Sequence, residues 1–299
     1  MKRIFFVYII AMSVLTFACE KEIPFRANDS RTQVVVNGFN TPDSTFRLHL
    51  SQSLPITANN SIVPPNITQA IVKLYNAQNQ LITKLNHQSE GVYISETNTY
   101  PIQGQRYHLT VETLGFPLIK AQDIIPKVSE SFEATVDSRE IDGHFGRETT
   151  VLFILKFKDI PQEENFYIIS VDKVVTNGSV LDFEPISISS DDVNIDAVED
   201  SEGFSREKTL FMKDNAFDGR NYTLKFNHFT SFVSPSTKYR ISLKTCSEAY
   251  YQYLRSITQN ELNKYDPFAQ PIQIFSNIEN GIGIFGGYVE KTKEVTLGE

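Results

Sequence analysis

The chain has 299 residues, 40% hydrophobic and 21% charged, with a formal charge of −8. That is the composition of a folded protein with one large domain or two ordinary ones, not of a disordered chain. Acidity without a basic stripe argues against nucleic acid and against electrostatic binding to anionic lipid.

Residues 1–18 differ from the rest. Lys2 and Arg3 precede the uncharged, mostly apolar run "IFFVYIIAMSVLTFA" (4–18). The run falls short of the roughly 20 residues of a spanning helix and ends in a small residue, so it reads as an export signal peptide. Ala18 before Cys19 is the junction of a lipoprotein signal, although Phe17 is bulkier than usual there. Cys19 is the predicted lipidation site, and residues 19–32 form a lipidated tether. Cleavage leaves 26 basic residues against 36 acidic ones, a charge of −10. Attachment to the membrane then rests on acyl chains at Cys19, more than one being needed for a stable anchor. Cys246 is the other cysteine, so no internal disulfide is expected. With no basic neighbour poised to activate it, Cys246 reads as a small buried hydrophobe.

From residue 33 strand patterns dominate. "QVVVNGF" (33–39) is β-branched, and "FRLHLSQS" (46–53) alternates Phe46, Leu48 and Leu50 with polar residues. "AIVKLYN" (70–76), "QLITKL" (80–85), "GVYISE" (91–96), "RYHLTVET" (106–113) and "IKAQDII" (119–125) follow, with Pro, Gly and Asn turns between them. Short strands at this spacing predict an immunoglobulin-like β-sandwich over 33–125. Pro126 opens a second β-rich region, 126–299, with alternation in "TVLFILKFKD" (150–159), "FYIISVDKVV" (166–175), "YTLKFNHF" (222–229) and "KYRISLKTC" (238–246). The predicted class is therefore all-β: an N-terminal immunoglobulin-like sandwich followed by a second sandwich-type domain carrying one C-terminal helix. That helix is predicted over about 246–262, with Thr245 and Glu248 as a capping box. Tyr250, Tyr251, Leu254, Ile257 and Leu262 form its apolar stripe, while Tyr253 lies off the stripe and is the candidate exposed ligand-binding aromatic.

Residues 190–203 hold six acids. A solvated loop is the ordinary reading. Asp192, Asn194 and Asp196 match the first ligand positions of a calcium loop, but Ala197 and Gly203 break the pattern where Gly and Glu belong. Other motifs fail on context. "NGIGIFGG" (280–287) has Gly281, Gly283 and Gly286 at dinucleotide-fingerprint spacing, yet too few residues follow for a helix and an acidic ribose partner. Neither nucleotide nor any other cofactor is expected. "SREK" (205–208) has no S-D-N, and "KTC" stands where K-T-G would. The five histidines lack metal-ligand spacing.

"CSEAYYQYLRSI" (246–257), "DPFAQPIQIFSNIENGIGIFGGY" (266–288) and the step Asp-x-x-Phe-x-Gly in "FMKDNAFDGRNYTLKF" (211–226) resemble domain of unknown function 4249, a family of Bacteroidota lipoproteins. "VVVNGF", "AIVKLYN" and "GVYISE…YPIQGQRYHLTV" fit as well, so the resemblance covers about 33–288. Glu20, Lys21 and Glu22 behind the anchor also resemble surface-export signals of such lipoproteins. The resemblance implies an outer-membrane lipoprotein encoded beside a TonB-dependent receptor, and it carries over no catalytic residues. The expected function is a non-catalytic binding or accessory protein, membrane-bound through its lipid and docking on such a receptor. The alternatives are an envelope hydrolase with a site between the two domains and a purely structural envelope component.

Overall fold

A computed structural model describes residues 32–55, 63–96, 99–143, 146–177, 180–198, 208–264 and 270–298. The predicted signal peptide, Cys19 and nearly all of the predicted tether lie outside the described residues. Gln33–Ser53 and Val63–Glu299 form one compact unit.

The first seven strands are β1 (Val34–Asn40), β2 (Arg47–Gln52), β3 (Ala70–Asn76), β4 (Leu81–Ser89), β5 (Val92–Ser95), β6 (Arg106–Thr113) and β7 (Ile119–Ile124). Most of their length obeys the period-2 rule that the sequence announces, which lapses at the end of β4, where residues 86–89 are all exposed. In β1, Val34 and Val36 are buried while Val35 and Asn37 are not, and in β6 the buried set is Tyr107, Leu109 and Val111. The strands pair in the order β1-β2-β5-β4-β3-β6-β7. The ribbon folds over, so that Val34, Val36, Leu48 and Leu50 meet Val72, Leu74, Leu109, Val111 and Ile119 in one core.

The remaining strands are β8 (Phe132–Gly143), β9 (Gly146–Lys158), β10 (Phe166–Asn177), β11 (Val180–Pro185), β12 (Thr209–Lys213), β13 (Asn221–Thr230), β14 (Lys238–Cys246) and β15 (Ile282–Thr296), with the helix α1 (Glu248–Asn263) before β15. Strands β13, β9 and β8 make a three-stranded sheet. Its inward residues Phe153, Leu155, Phe157 and Phe226 pack on Tyr167, Ile169, Ile241 and Leu243 of β10 and β14. Ring pairs such as Phe153–Phe226 (5.2 Å, stacked) and Phe153–Tyr239 (5.2 Å, edge-on) fill this layer in a chain without Trp. Each pair contributes about 0.5–1.5 kcal/mol beyond its buried area. Strand β10 is buried on both sides, because Phe166 and Ile168 face Cys246, Tyr250 and Tyr251 beneath α1. The class is all-β with a single helix among the described residues, as expected.

Two features of the C-terminal strand were not visible in the alternation pattern. Strand β15 runs antiparallel to β14 through Cys246↔Tyr288 and parallel to β1 through Val35↔Ile282. Its hydrogen bonds therefore join strands from either side of Pro126, and Phe285 and Val289 enter the N-terminal core. The glycines in "GIGIFGG" explain how it fits. At Gly283, φ is +109° and a Cβ would stand 2.1 Å from the Val36 carbonyl oxygen; at Gly287 it would stand 2.4 Å from that of Ile124. Only a residue without a side chain permits these approaches. The fingerprint spacing is thus used for strand packing.

The helix begins two residues later than predicted. Ser247, not Thr245, is its N-cap, and the Ser247 side chain accepts from the Tyr250 amide. Thr245 still lies in β14, opposite Tyr167, and its hydroxyl is buried without a hydrogen-bond partner. The pairing of β14 with β10 and β15 carries on to Cys246, so a strand residue took the place that local capping chemistry suggested.

Candidate functional site

Four places gather chemistry-bearing side chains. The first is a cavity of about 570 Å³ on the outward face of β3, β6 and β7. Tyr75, His108 and Gln122 are successive cross-strand partners, and so are Lys73, Thr110 and Lys120 in the next row. Their neighbours Leu74, Leu109 and Ala121 point into the core, which turns these two rows outward. The turn residue Asn79, at φ 59°, sets its Oδ1 2.8 Å from His108 Nδ1. The far wall is Asn277 and Glu279. Glu279 bridges to the free side of β7 through paired backbone hydrogen bonds with Lys120 of 3.2 and 2.8 Å. Asn277 accepts from the Phe285 amide (3.0 Å) and donates to the Phe285 carbonyl (2.7 Å), which pins this segment to β15.

The second is the junction of β7, β15 and α1. Asp123, 8% exposed, accepts from the Ser247 hydroxyl and, at 2.8 Å, from the Gly287 amide. Burial pushes its carboxyl up to about 6, and these hydrogen bonds hold back a larger rise. A cavity of about 590 Å³ beside it is lined by Arg106, Asp123, Glu163, Asn165, Ser247 and Glu248, among others. Cys246 is among its lining residues but is buried, and burial holds its thiol well above the ordinary range.

The third is acidic. Asp159, Asp214 and Asp218 bring one carboxylate oxygen each to within 4.8 Å of the others. The sequence reading passed over them because Asp159 is 55 residues from Asp214; the signal that could have found them is the Asp214-x-x-Phe217-x-Gly219 step itself. Backbone amides satisfy all three: Gly219 donates to Asp159 (2.7 Å), Asn165 to Asp214 (3.1 Å) and Gln162 to Asp218 (2.9 Å). The Tyr167 hydroxyl donates to Asp159 at 2.5 Å. Asp159 and Asp214 are only 1% and 3% exposed, and burial raises the Asp159 carboxyl. The arrangement ties the 214–220 turn to the end of β9.

The fourth gathers the acids singled out in the sequence. The Tyr222 hydroxyl shares its one proton between the two carboxylate oxygens of Asp192 (2.7 and 2.8 Å), which also accepts from the Asn194 amide (2.9 Å). Asp196 pairs with Arg255 at 3.3 Å and accepts from Tyr251 at 3.1 Å. Asp192, Asn194 and Asp196 thus have protein partners of their own. The acids beyond residue 198 lie outside the described residues. Tyr253, expected to be exposed, is half-buried: its ring lies 6.0 Å from Phe39, and its hydroxyl is 3.5 Å from Asn37. The off-stripe face of α1 meets β1, which a single-helix projection does not contain.

Among known proteins, the model of a family described as a domain of unknown function (DUF4249) matches residues 20–294. No curated protein matches the chain. Salmonella alpha-2-macroglobulin aligns over 88% of this chain and 14% of its own, at 7% identity and a TM-score of 0.26. This chain thus spans about a seventh of that protein's length. The major pilin SpaD of Corynebacterium diphtheriae aligns over 91% of this chain and 67% of its own, at 11% identity and a TM-score of 0.22. Neither superposition is good enough to carry an argument.

Proposed function

We propose, from the premise that the chain belongs to the DUF4249 family, that it is a lipid-anchored binding protein of a bacterial outer membrane. Acylated Cys19 holds it there, and the β-framework presents a ligand-binding or receptor-docking surface without chemistry of its own.

The observation that carries the binding reading is the cavity on the outer face of β3, β6 and β7. Its volume of about 570 Å³ falls in the range of small-molecule sites. It stands on rigid strands, which fix side chains more closely than loops do. The second reading, a hydrolase, would need paired carboxylates or a nucleophile–base pair open to substrate, and the largely buried acidic cluster is not such a pair. Asp159 and Asp214 are closed to solvent and engaged by backbone amides. The docking partner we propose is a TonB-dependent receptor, following the resemblance above.

Mass spectrometry of protein extracted from membranes tests the anchor: the expected result is a chain that starts at acylated Cys19, and an unmodified amino terminus refutes it. Affinity purification from mild detergent tests docking. Recovery of an outer-membrane barrel in stoichiometric amount is expected, and its consistent absence refutes the receptor part of the reading.

A further inference from the structure

We propose that the groove on the outer face of β3, β6 and β7 takes a neutral, hydroxyl-rich ligand of the saccharide class, stacked on Tyr75 and read by His108, Thr110, Gln122 and Glu279. This names the ligand class for the binding role proposed above and rests on that role.

Four features of the groove select this chemistry. Strand register puts Tyr75, His108 and Gln122 in one row across the groove, with Thr110 and Lys120 in the next. One aromatic face beside imidazole, amide and hydroxyl groups matches a pyranose. The ring offers its C–H face to Tyr75, and its hydroxyls, each both donor and acceptor, suit groups that can play either part. The charges cancel as well: Lys120 and Glu279 carry opposite signs across the bridge, and Lys73 is tied to Glu112 at 3.1 Å. A groove balanced in this way gives no advantage to an anion or a cation.

The third feature excludes a peptide strand. An extended peptide binds by adding to a free sheet edge. Beyond β7 that edge is occupied by Glu279, whose backbone bonds to Lys120 in both directions. A ligand here is recognised through side chains alone. The last feature is Thr110, whose hydroxyl is buried yet makes no hydrogen bond within the described residues. That oxygen is closed to solvent, so Thr110 must turn about χ1 before a ligand hydroxyl can satisfy a group whose isolation costs about 1–3 kcal/mol. The walls are held in place in advance, by Asn79 on His108 and by Asn277 on β15, so little ordering is needed on binding.

The test uses the full mature chain in detergent and neutral linear hexasaccharides of glucose, mannose, xylose and galactose as probes. Saturation-transfer NMR and calorimetry measure binding. At least one probe is expected to bind. Tyr75→Ala should weaken it by about tenfold or more, the loss of roughly 1.4 kcal/mol of stacking, and Tyr75→Phe by less than about threefold. Gln122→Ala should weaken it too, with the melting temperature of each variant recorded to show that it is folded. No binding of any probe at about 10 mM, roughly a thousandfold above a 10 µM site, overturns the inference. So does binding that survives both Tyr75→Ala and Gln122→Ala, or a groove filled by hexaalanine in preference to every sugar. Membrane fractionation of the same preparation separates the two readings. Anchored protein that binds no sugar defeats the saccharide groove alone, and released protein that binds sugar defeats the anchor alone.

Discussion

Asp123 sits where three elements meet, and it is acidic in a place that disfavours charge. Its carboxyl is raised to about 6 by burial, against an ordinary value near 4. The folded protein therefore holds this proton more tightly than the unfolded chain. The stability it contributes is fully present below about pH 4 and is lost as pH rises through about 6. The rise of the carboxyl from its ordinary value corresponds to about 3 kcal/mol. Urea denaturation across pH 4–7 should show stability falling by up to that amount relative to Asp123→Asn, which keeps an acceptor for Gly287 and cannot ionise. Parallel curves for the two proteins would refute the assignment. Gly283 is the other decisive residue. In Gly283→Ala the added carbon would lie 2.1 Å from the Val36 oxygen at a φ of +109°. A loss of at least about 3 kcal/mol is expected, read from the denaturation midpoint, or failure to accumulate folded protein.

At the level of the element, α1 shows how two plausible caps differ. Ser247 accepts from Tyr250 and donates to Asp123. Thr245, two residues earlier, is 1% exposed and its hydroxyl bonds to nothing described. Ser247→Ala should cost about 1–2 kcal/mol, whereas Thr245→Val should be neutral or stabilising, since it removes an unsatisfied polar group at nearly constant volume. Thermal unfolding of the pair checks this, and the opposite order would return the cap to Thr245. Strands such as β1 and β6 follow their own alternation, whereas β12, β14 and β15 carry runs of three or four buried residues. Strand β10 departs from alternation too, with Phe166 through Ile169 all buried, because a sheet lies on one side of it and α1 on the other.

For the whole molecule, one buried cluster gathers mostly residues before Pro126 and two gather residues after it, with Phe285 and Val289 of β15 entering the first. Hydrogen bonding does not stop there, because β15 joins β1 to β14. The last strand thus holds the first in place. If Cys19 is acylated as proposed, Cys19→Ser should move the protein from the membrane pellet to the soluble fraction of an envelope preparation, because the hydrophobic term of the acyl chains would be lost. Retention of the variant in the pellet would show that something other than the lipid binds it there.

The sequence by itself determined the class of the fold and most of its strands, because a strand half-buried against a core must alternate, and residues such as Leu48, Leu50, Phe153 and Leu155 do so in plain view. It also marked the C-terminal glycine run as unusual. Only the tertiary structure decided what that run is for, since Gly283 is required by Val36, a residue 247 positions away that no local pattern connects to it. The groove is hidden for the same reason. Tyr75, His108, Gln122 and Glu279 come from separate segments, and each alone reads as an ordinary wet-face residue. Pairing register puts them side by side, and register is fixed by which faces can be buried together.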